Sequence, residues 1–335
     1  MVLSDWDLML TQFRSLGGIA ENIIQKRGEN GRGLFPKNIK LKSRIFVPKN
    51  LLFARKYIYL DRNKVRIKKD SPYSKEQKEF FSNYQDNFSW GGGGKEEVEA
   101  FEQGLTEFPK QLKNILKEAG IIDIFKRHNK PWEKLIFERF YINRSFLFKN
   151  RNVVAPILEL INHSPLSSQL LEFDEGISHP DISISEREIT HHYNYISSLE
   201  RWKECGFFCE EKMAFSLPIQ LKIPKSDLIL YCKGMSLDCV DLNVAKQGNL
   251  IVFDGIPIAN INIKDFPINF LSHLLSELKI NIDSKKLLEQ IKTFNLKKRT
   301  EIISKIIPKD NLYQRRLILV LTRELALISM HNKYY

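Results

Sequence analysis

The chain of 335 residues carries 52 Lys and Arg against 40 Asp and Glu, a formal charge of +12, with 43% hydrophobic and 27% charged residues. That mixture excludes disorder and a multispan membrane protein, and the length holds one large domain or two ordinary ones. Four cysteines, none in a Cys-x-x-Cys pair, exclude a disulfide scaffold and most zinc modules, so a reducing, cytoplasmic setting is expected.

The acidic start, Met1-Val2-Leu3-Ser4-Asp5-Trp6-Asp7, lacks the basic flank and apolar core of a signal peptide. No window reaches the roughly 18–20 uncharged apolar residues that cross a bilayer, so no membrane partner is expected. From 17 to 70, short apolar stretches such as Ile23-Ile24, Gly33-Leu34-Phe35 and Arg44-Ile45-Phe46-Val47 alternate with Gly and Pro and predict strands. Between 26 and 70 lie 15 basic and 3 acidic residues, so this segment alone equals the excess of the whole chain. Its run Lys64-Val65-Arg66-Ile67-Lys68 alternates as a strand with one solvated face. Only Tyr57 and Tyr59 interleave aromatics with the charge, which favours an acidic protein partner over nucleic acid.

Helical spacing follows. Ser74 and Gln77 fit a capping box ahead of Phe80, Phe81, Tyr84 and Phe88. A second helix is predicted over about 96–119, with Val98, Phe101, Leu105, Leu112, Ile115 and Leu116 on one side, a kink at Pro109 and a cap at Gly120. The four glycines at 91–94 between the two helices read as a flexible connector. A third helix opens at Pro131 and carries Trp132, Leu135, Ile136 and Phe140. Strands and loops are expected over 152–194. A further β-rich stretch spans 215–263, where Ile219-Gln220-Leu221-Lys222-Ile223 alternates and Pro224 stops it. Helices are predicted at 270–278, 285–294, 299–306 and 313–329, the second capped by Ser284.

Several chemical readings fail on the residues. Trp90-Gly91-Gly92-Gly93-Gly94-Lys95 is no phosphate loop: Glu96 stands where a magnesium-binding Ser or Thr belongs, and Ser89 replaces the first glycine. His191 and His192 point to opposite faces of a strand and cannot share one metal. Cys205 and Cys209 have no matching second pair in Cys232 and Cys239, so no metal is expected. There is neither a nucleophile elbow nor a dinucleotide fingerprint after a strand.

One ordered set of motifs coheres: Gly31-Arg32-Gly33-Leu34-Phe35; Asn143-Arg144-Ser145-Phe146; Pro156-Ile157-Leu158-Glu159-Leu160-Ile161-Asn162-His163-Ser164; Ser185-Glu186-Arg187-Glu188-Ile189-Thr190-His191-His192-Tyr193; and Cys205-Gly206-Phe207. In order, spacing and helical insertion it resembles the SET-domain methyltransferases, in the branch that contains the Rubisco large-subunit lysine methyltransferase. The resemblance implies an α+β chain: a β-rich SET domain over 14–212 with a helical insertion at about 72–142, then a mainly helical substrate-binding domain over 213–335.

It also implies S-adenosylmethionine as methyl donor and a lysine side chain of a protein as acceptor. The turn containing Gly31, Arg32 and Gly33 matches the family's glycine pair at the cofactor's methionine end, where a residue without Cβ allows close approach. Arg144 matches the arginine near the cofactor carboxylate. Asn162 and His163 match the Asn-His pair that holds the methionine portion and the adenine edge. Tyr193 matches the active-site tyrosine, and Cys205 and Phe207 fall on the acceptor channel. The sulfonium makes the methyl group electrophilic, so alignment and dehydration are the protein's tasks, and no strong general base is assigned.

The chain departs from the family pattern at Asn194, where glycine is usual, at Ser198, where asparagine is usual, and at Cys205, where tyrosine is usual. The last removes one aromatic wall of the channel. The alternative expectation is therefore a catalytically inactive SET-like binding protein that uses its basic 26–70 face to engage an acidic protein or RNA.

Overall fold

Ser4 turns the acidic start of the chain into a helix. Its hydroxyl accepts the Asp7 N–H at the head of Asp5–Ser15, and Asp5 and Asp7 sit in the first turn, where negative charge suits the helix dipole. Trp6, Met9, Leu10 and Phe13, spaced by three and four, are buried. The sequence reading took these residues only as an acidic terminus. The computed structural model describes residues 4–28, 31–121, 130–180, 187–193, 196–223, 227–234, 244–306 and 311–332. Ser185, Glu186, Asn194, Pro224 and Cys239 lie outside that set.

The chain divides into two compact units, Met1–Ala100 with Lys130–Asn194, and Phe101–Asn129 with Tyr195–Tyr335. These packing divisions and the 212/213 boundary implied by the motifs are different partitions of the chain. The first unit is built from small sheets around one core. Ile23–Gly28 pairs antiparallel with Gly31–Pro36, and Ile58–Asp61 with Lys64–Ile67. A four-stranded sheet runs in the order Ile19–Glu21, Arg44–Pro48, Gly176–Ser178, Leu171–Phe173. Three more strands run in the order Phe53–Ala54, Arg151–Val154, Ser145–Phe148. Asn162–His163 pairs parallel with Thr190–His191. Lys64–Ile67 buries Val65 and Ile67 and leaves Lys64 exposed, as its alternation predicts.

Helix Lys75–Asn87 carries the expected capping box, with Ser74 and Gln77 satisfying each other's backbone N–H, and buries Phe80, Phe81 and Tyr84. The glycines at 91–94 are not a flexible connector. They form a tight turn, Trp90–Gly94, in which Gly93 has φ +111° and a Cβ at Gly91 would fall 2.1 Å from the Asp86 carbonyl oxygen. Trp90 anchors the turn: its indole donates to the Asn63 carbonyl at 2.9 Å and its ring packs edge-on against Phe137 and Phe140. The predicted kinked helix is two helices, Lys95–Thr106 and Lys110–Glu118, because Pro109 ends one and caps the other. Helix Trp132–Ile142 starts after Pro131 and buries Leu135, Ile136 and Phe140, while Trp132 is exposed.

In the second unit a sheet runs in the order Ile219–Lys222, Ile229–Cys232, Leu250–Phe253, Val244–Gln247, beside the pair Met213–Phe215 and Pro257–Asn260. Helices Phe266–Glu277, Ser284–Lys305 and Leu312–Asn332 complete it. The helices expected separately at 285–294 and 299–306 are one, since nothing between them breaks the backbone pattern. Its cap is Asp283, whose carboxylate accepts from the Lys285 and Lys286 N–H groups, rather than Ser284. The architecture is α+β. Among the described residues no helix is long and apolar enough to cross a membrane.

A buried ion pair ties this unit together. Arg299 and Glu324 are fully buried; the guanidinium meets Glu324 at 2.7 and 2.9 Å and the Phe215 carbonyl at 2.7 Å, while Glu324 also accepts the Leu199 N–H at 2.9 Å. Removing one partner strands a buried charge, so Glu324→Ala is expected to cost about 3–5 kcal/mol in urea unfolding. A loss below about 1 kcal/mol would show that the pair does not hold the unit.

Candidate functional site

The strand Gly31–Pro36 is the floor of the site. Gly31 has φ +96° with open space where a Cβ would point, so backbone conformation is what demands glycine there. Gly33 is glycine for a different reason. A Cβ would fall 2.0 Å from Glu188 Oε1 and 2.8 Å from Asn162 Nδ2. The close approach at Gly33 is thus made by the chain's own polar side chains, a refinement of the reason expected from the motif. Asn162 Nδ2 donates to the Arg32 carbonyl at 2.9 Å and to Glu188 Oε1 at 2.5 Å. The Ile189 N–H donates to the Leu34 carbonyl at 2.8 Å, fixing the Glu188 segment against the same strand.

Asn162 is delivered by a strained approach. Ile157 is fully buried with φ +72° and ψ −52°, a conformation that β-branched residues almost never adopt. Strain of this kind costs about 1–3 kcal/mol and persists only where surrounding contacts impose it. Here the Ile157 N–H donates to the buried Tyr84 hydroxyl at 3.0 Å, and the chain then makes one short helical turn, Leu158–Leu160, before Asn162–His163.

Two guanidinium groups stand over this floor. Arg144 Nη1 donates to the Glu159 carbonyl at 3.0 Å and lies 3.7 Å from the Glu159 carboxylate; Nη2 lies 3.5 Å from Glu97; and the group stacks over Phe140 at 5.1 Å. Burial alone would lower the Arg144 pKa, and Glu159 and Glu97 more than offset it, so the group is held charged. Arg32 meets the same Glu97 carboxylate in fork geometry, at 3.0 and 3.3 Å, and also donates to the Gly92 carbonyl. The Glu159 side chain is wholly buried and accepts from Gln85 at 3.2 Å. Burial and the Glu159 charge push the Tyr84 and Tyr141 hydroxyls well above their ordinary pKa.

The sequence reading therefore missed Glu97, Glu159, Glu188 and Gln85. A lone carboxylate inside the apolar run from Pro156 to Ile161 was a usable signal for Glu159, because such a group needs a cation. Glu97, in the first turn of Lys95–Thr106, looks like an ordinary dipole-complementing acid and carried no signal.

Tyr193 donates its hydroxyl to the Ile161 carbonyl at 2.8 Å, and its N–H donates to His163 Nδ1 at 3.2 Å. Its ring packs at 5.1 Å from His163 and 4.6 Å from His191. His163 accepts at Nδ1, so its neutral form carries the proton on Nε2. His191 is buried, and desolvation together with the neighbouring histidines lowers its pKa from 6.5 to about 3. Gly31, Arg32, Gly33, Arg144, Asn162, His163 and Tyr193 thus all lie in the first unit, linked by these contacts. Cys205 and Phe207 belong to the second. There Cys205 ends helix Ser198–Cys205, and Gly206 turns the chain with φ +74°, where a Cβ would fall 2.6 Å from Phe101.

No family model matches the chain, and no curated protein matches it. Solved structures align over nearly all of it. One is the SET domain of LSMT bound to lysine and AdoHcy, with 12% identity and a TM-score of 0.43, covering 98% of this chain and 90% of that one. Another is the same domain bound to methyllysine and AdoHcy, with 13% identity, a TM-score of 0.46 and coverages of 100% and 92%. A third is Rubisco LSMT bound to sinefungin and monomethyllysine, with 12% identity, a TM-score of 0.44 and coverages of 99% and 92%. A likeness this distant assigns no role to any residue of this chain.

The site makes one prediction for stability. His191 stays neutral in the fold down to about pH 3 but protonates near 6.5 when unfolded, so the unfolded chain binds the extra proton in between. The stabilisation from a neutral His191 is complete above pH 6.5 and is lost progressively as pH falls towards 3. At pH 5 the loss is about 2 kcal/mol. Chemical denaturation at pH 7.5 and 5 is expected to show a drop smaller by about that amount in His191→Gln; equal drops in both proteins would contradict the assignment.

Proposed function

We propose that this chain is an S-adenosylmethionine-dependent methyltransferase acting on a lysine side chain of a protein. One observation carries the reading: residues from five separated segments, among them Arg32, Arg144, Asn162 and His163 of the motif set, are joined in one polar constellation on the strand Gly31–Pro36. The donor set fits the cofactor. Arg32 and Arg144 already converge on a carboxylate, that of Glu97, as a pair suited to the methionine carboxylate must. Asn162 supplies an amide beside them.

When bound, the cofactor supplies a sulfonium-activated methyl group. The residues of the chain then have to bind, align and exclude water. Arg144 and Arg32 would hold the carboxylate, and Asn162 and the backbone at His163 the remainder. Tyr193 is fixed by its bonds to Ile161 and His163, and a hydroxyl that donates can still accept weak C–H contacts from a polarised methyl group. His191, with its pKa depressed to about 3, presents a neutral wall near Tyr193 and is too weak a base to deprotonate a lysine.

The acceptor would sit on a protein with an acidic surface. Among the described residues of the basic segment, Lys37, Arg44 and Arg66 pair with Asp7, Glu21 and Asp86, while Lys40, Lys42, Lys56, Lys64 and Lys68 are exposed. Free thiols at Cys209 and Cys232 suit a reducing, cytoplasmic setting.

Calorimetric titration with S-adenosylmethionine tests the reading. Binding is expected for the wild type, weakened at least about tenfold by Arg144→Ala and by Asn162→Ala, each of which removes a charged or buried hydrogen bond. Tyr193→Phe is expected to lower kcat in a labelled-methyl assay on acidic proteins with little change in cofactor affinity. A folded wild type that binds no cofactor would sink the proposal; binding without transfer to any protein would favour the inactive binding protein.

A further inference from the structure

The glycines at 91–94 and the acid at 97 have no place in the motif set, yet both act on the arginine pair. The glycine turn is a seat for Arg32. A Cβ at Gly93 would lie 3.1 Å from its Nε, and one at Gly92 or Gly94 would lie 3.3 Å from a terminal nitrogen; the Gly92 carbonyl accepts one of its N–H groups, and the Phe88 carbonyl lies 3.4 Å away. Arg144 is held independently, by the Glu159 carbonyl and the Phe140 ring. Both guanidinium groups are therefore positioned by partners other than Glu97.

Glu97 is the most exposed member of the group. Its side chain is 43% exposed, against 16% for Arg32 and 17% for Arg144. Its contact with Arg144, at 3.5 Å, is longer than a hydrogen bond, and it stands on the first turn of Lys95–Thr106, directly after the glycine turn. Charge gives the same order. Among the ion pairs described for the two arginines, Glu159 alone leaves one positive charge, which Glu97 neutralises, while Glu188 is engaged by Asn162.

We propose that Glu97 is a built-in occupant of the carboxylate subsite, which an incoming carboxylate ligand must displace. Resting on the reading above, this makes Glu97 a specificity-determining residue. Its closed position lowers the apparent affinity only for ligands that place a carboxylate on the arginine pair, and such a ligand restores neutrality to the arginines. The glycine turn keeps Arg32 in place while the acid leaves.

The test measures binding of S-adenosylhomocysteine, which carries the amino-acid carboxylate, and of 5′-methylthioadenosine, which lacks it, to the wild type and to Glu97→Gln. Removing a competitor that occupies the subsite most of the time raises apparent affinity by about 3–10-fold. The expected result is that gain for S-adenosylhomocysteine and none for 5′-methylthioadenosine. Equal or weaker binding of S-adenosylhomocysteine by the variant, or the same gain for both ligands, overturns the inference and leaves the methyltransferase reading standing. Should neither protein bind S-adenosylhomocysteine, that reading fails, and sulfate decides the inference alone. A sulfate-dependent rise in Tm that is larger in Glu97→Gln than in the wild type, and lost in Glu97→Gln with Arg144→Ala, supports it; no difference between the proteins removes it.

Discussion

The amide of Asn162 is the contact on which the first unit's site depends. It reaches across 130 residues of sequence to the Arg32 carbonyl and simultaneously meets Glu188. A partly buried amide with two donors must find two acceptors, and here they come from a strand and from a distant segment. That one requirement propagates. It forbids a side chain at Gly33, it needs Asn162 delivered at one height above the strand, and it accepts a left-handed Ile157 to do so. Ile157 in turn leans on Tyr84, whose place is set by a helix with a capping box. Local signals as ordinary as Ser74 and Gln77 thus reach the site through two intermediate contacts.

The charges of the site are arranged differently from those that hold the fold. In the second unit Arg299 and Glu324 are both fully enclosed, and every contact described for them is short; such a pair defines a packing arrangement and has nothing to exchange with. In the first unit Arg32 and Arg144 are largely enclosed, but one of the two carboxylates paired with them, Glu97, is not. Desolvated cations with a solvated counter-ion form a site that another anion can enter at low cost, because the entering group meets charge that is already dehydrated and oriented. This asymmetry, more than the presence of arginine, separates ligand-handling chemistry from structural ion pairing here.

The sequence made the frame legible where local physics decides it. The Ser74–Gln77 box, the alternation at 64–67, the cap at Gly120 and the apolar faces of the C-terminal helices all follow from spacing and cap chemistry. It failed where a competing local residue won: Asp283 over Ser284 as a cap, and Pro109 as a full break rather than a kink. The helix Asp5–Ser15 was hidden because its apolar positions are interrupted by acids that also serve its first turn. At the site, the motif order found residues recognised by type. It could not find Glu97 or Glu188, whose roles come from tertiary approach. Nor could it show that three of the four glycines seat an arginine, since a glycine run looks alike whether it is loose or tightly occupied.

The arrangement around Tyr193 fits a site that works by position. Its hydroxyl is committed to a carbonyl, its N–H to a histidine nitrogen, and the adjacent His191 is stripped of its charge by burial. Under the methyl-transfer reading the acceptor amine must then lose its proton to water before or during entry, favoured by a dry channel beside a cation. The rate would rise with pH through the amine's own ionisation.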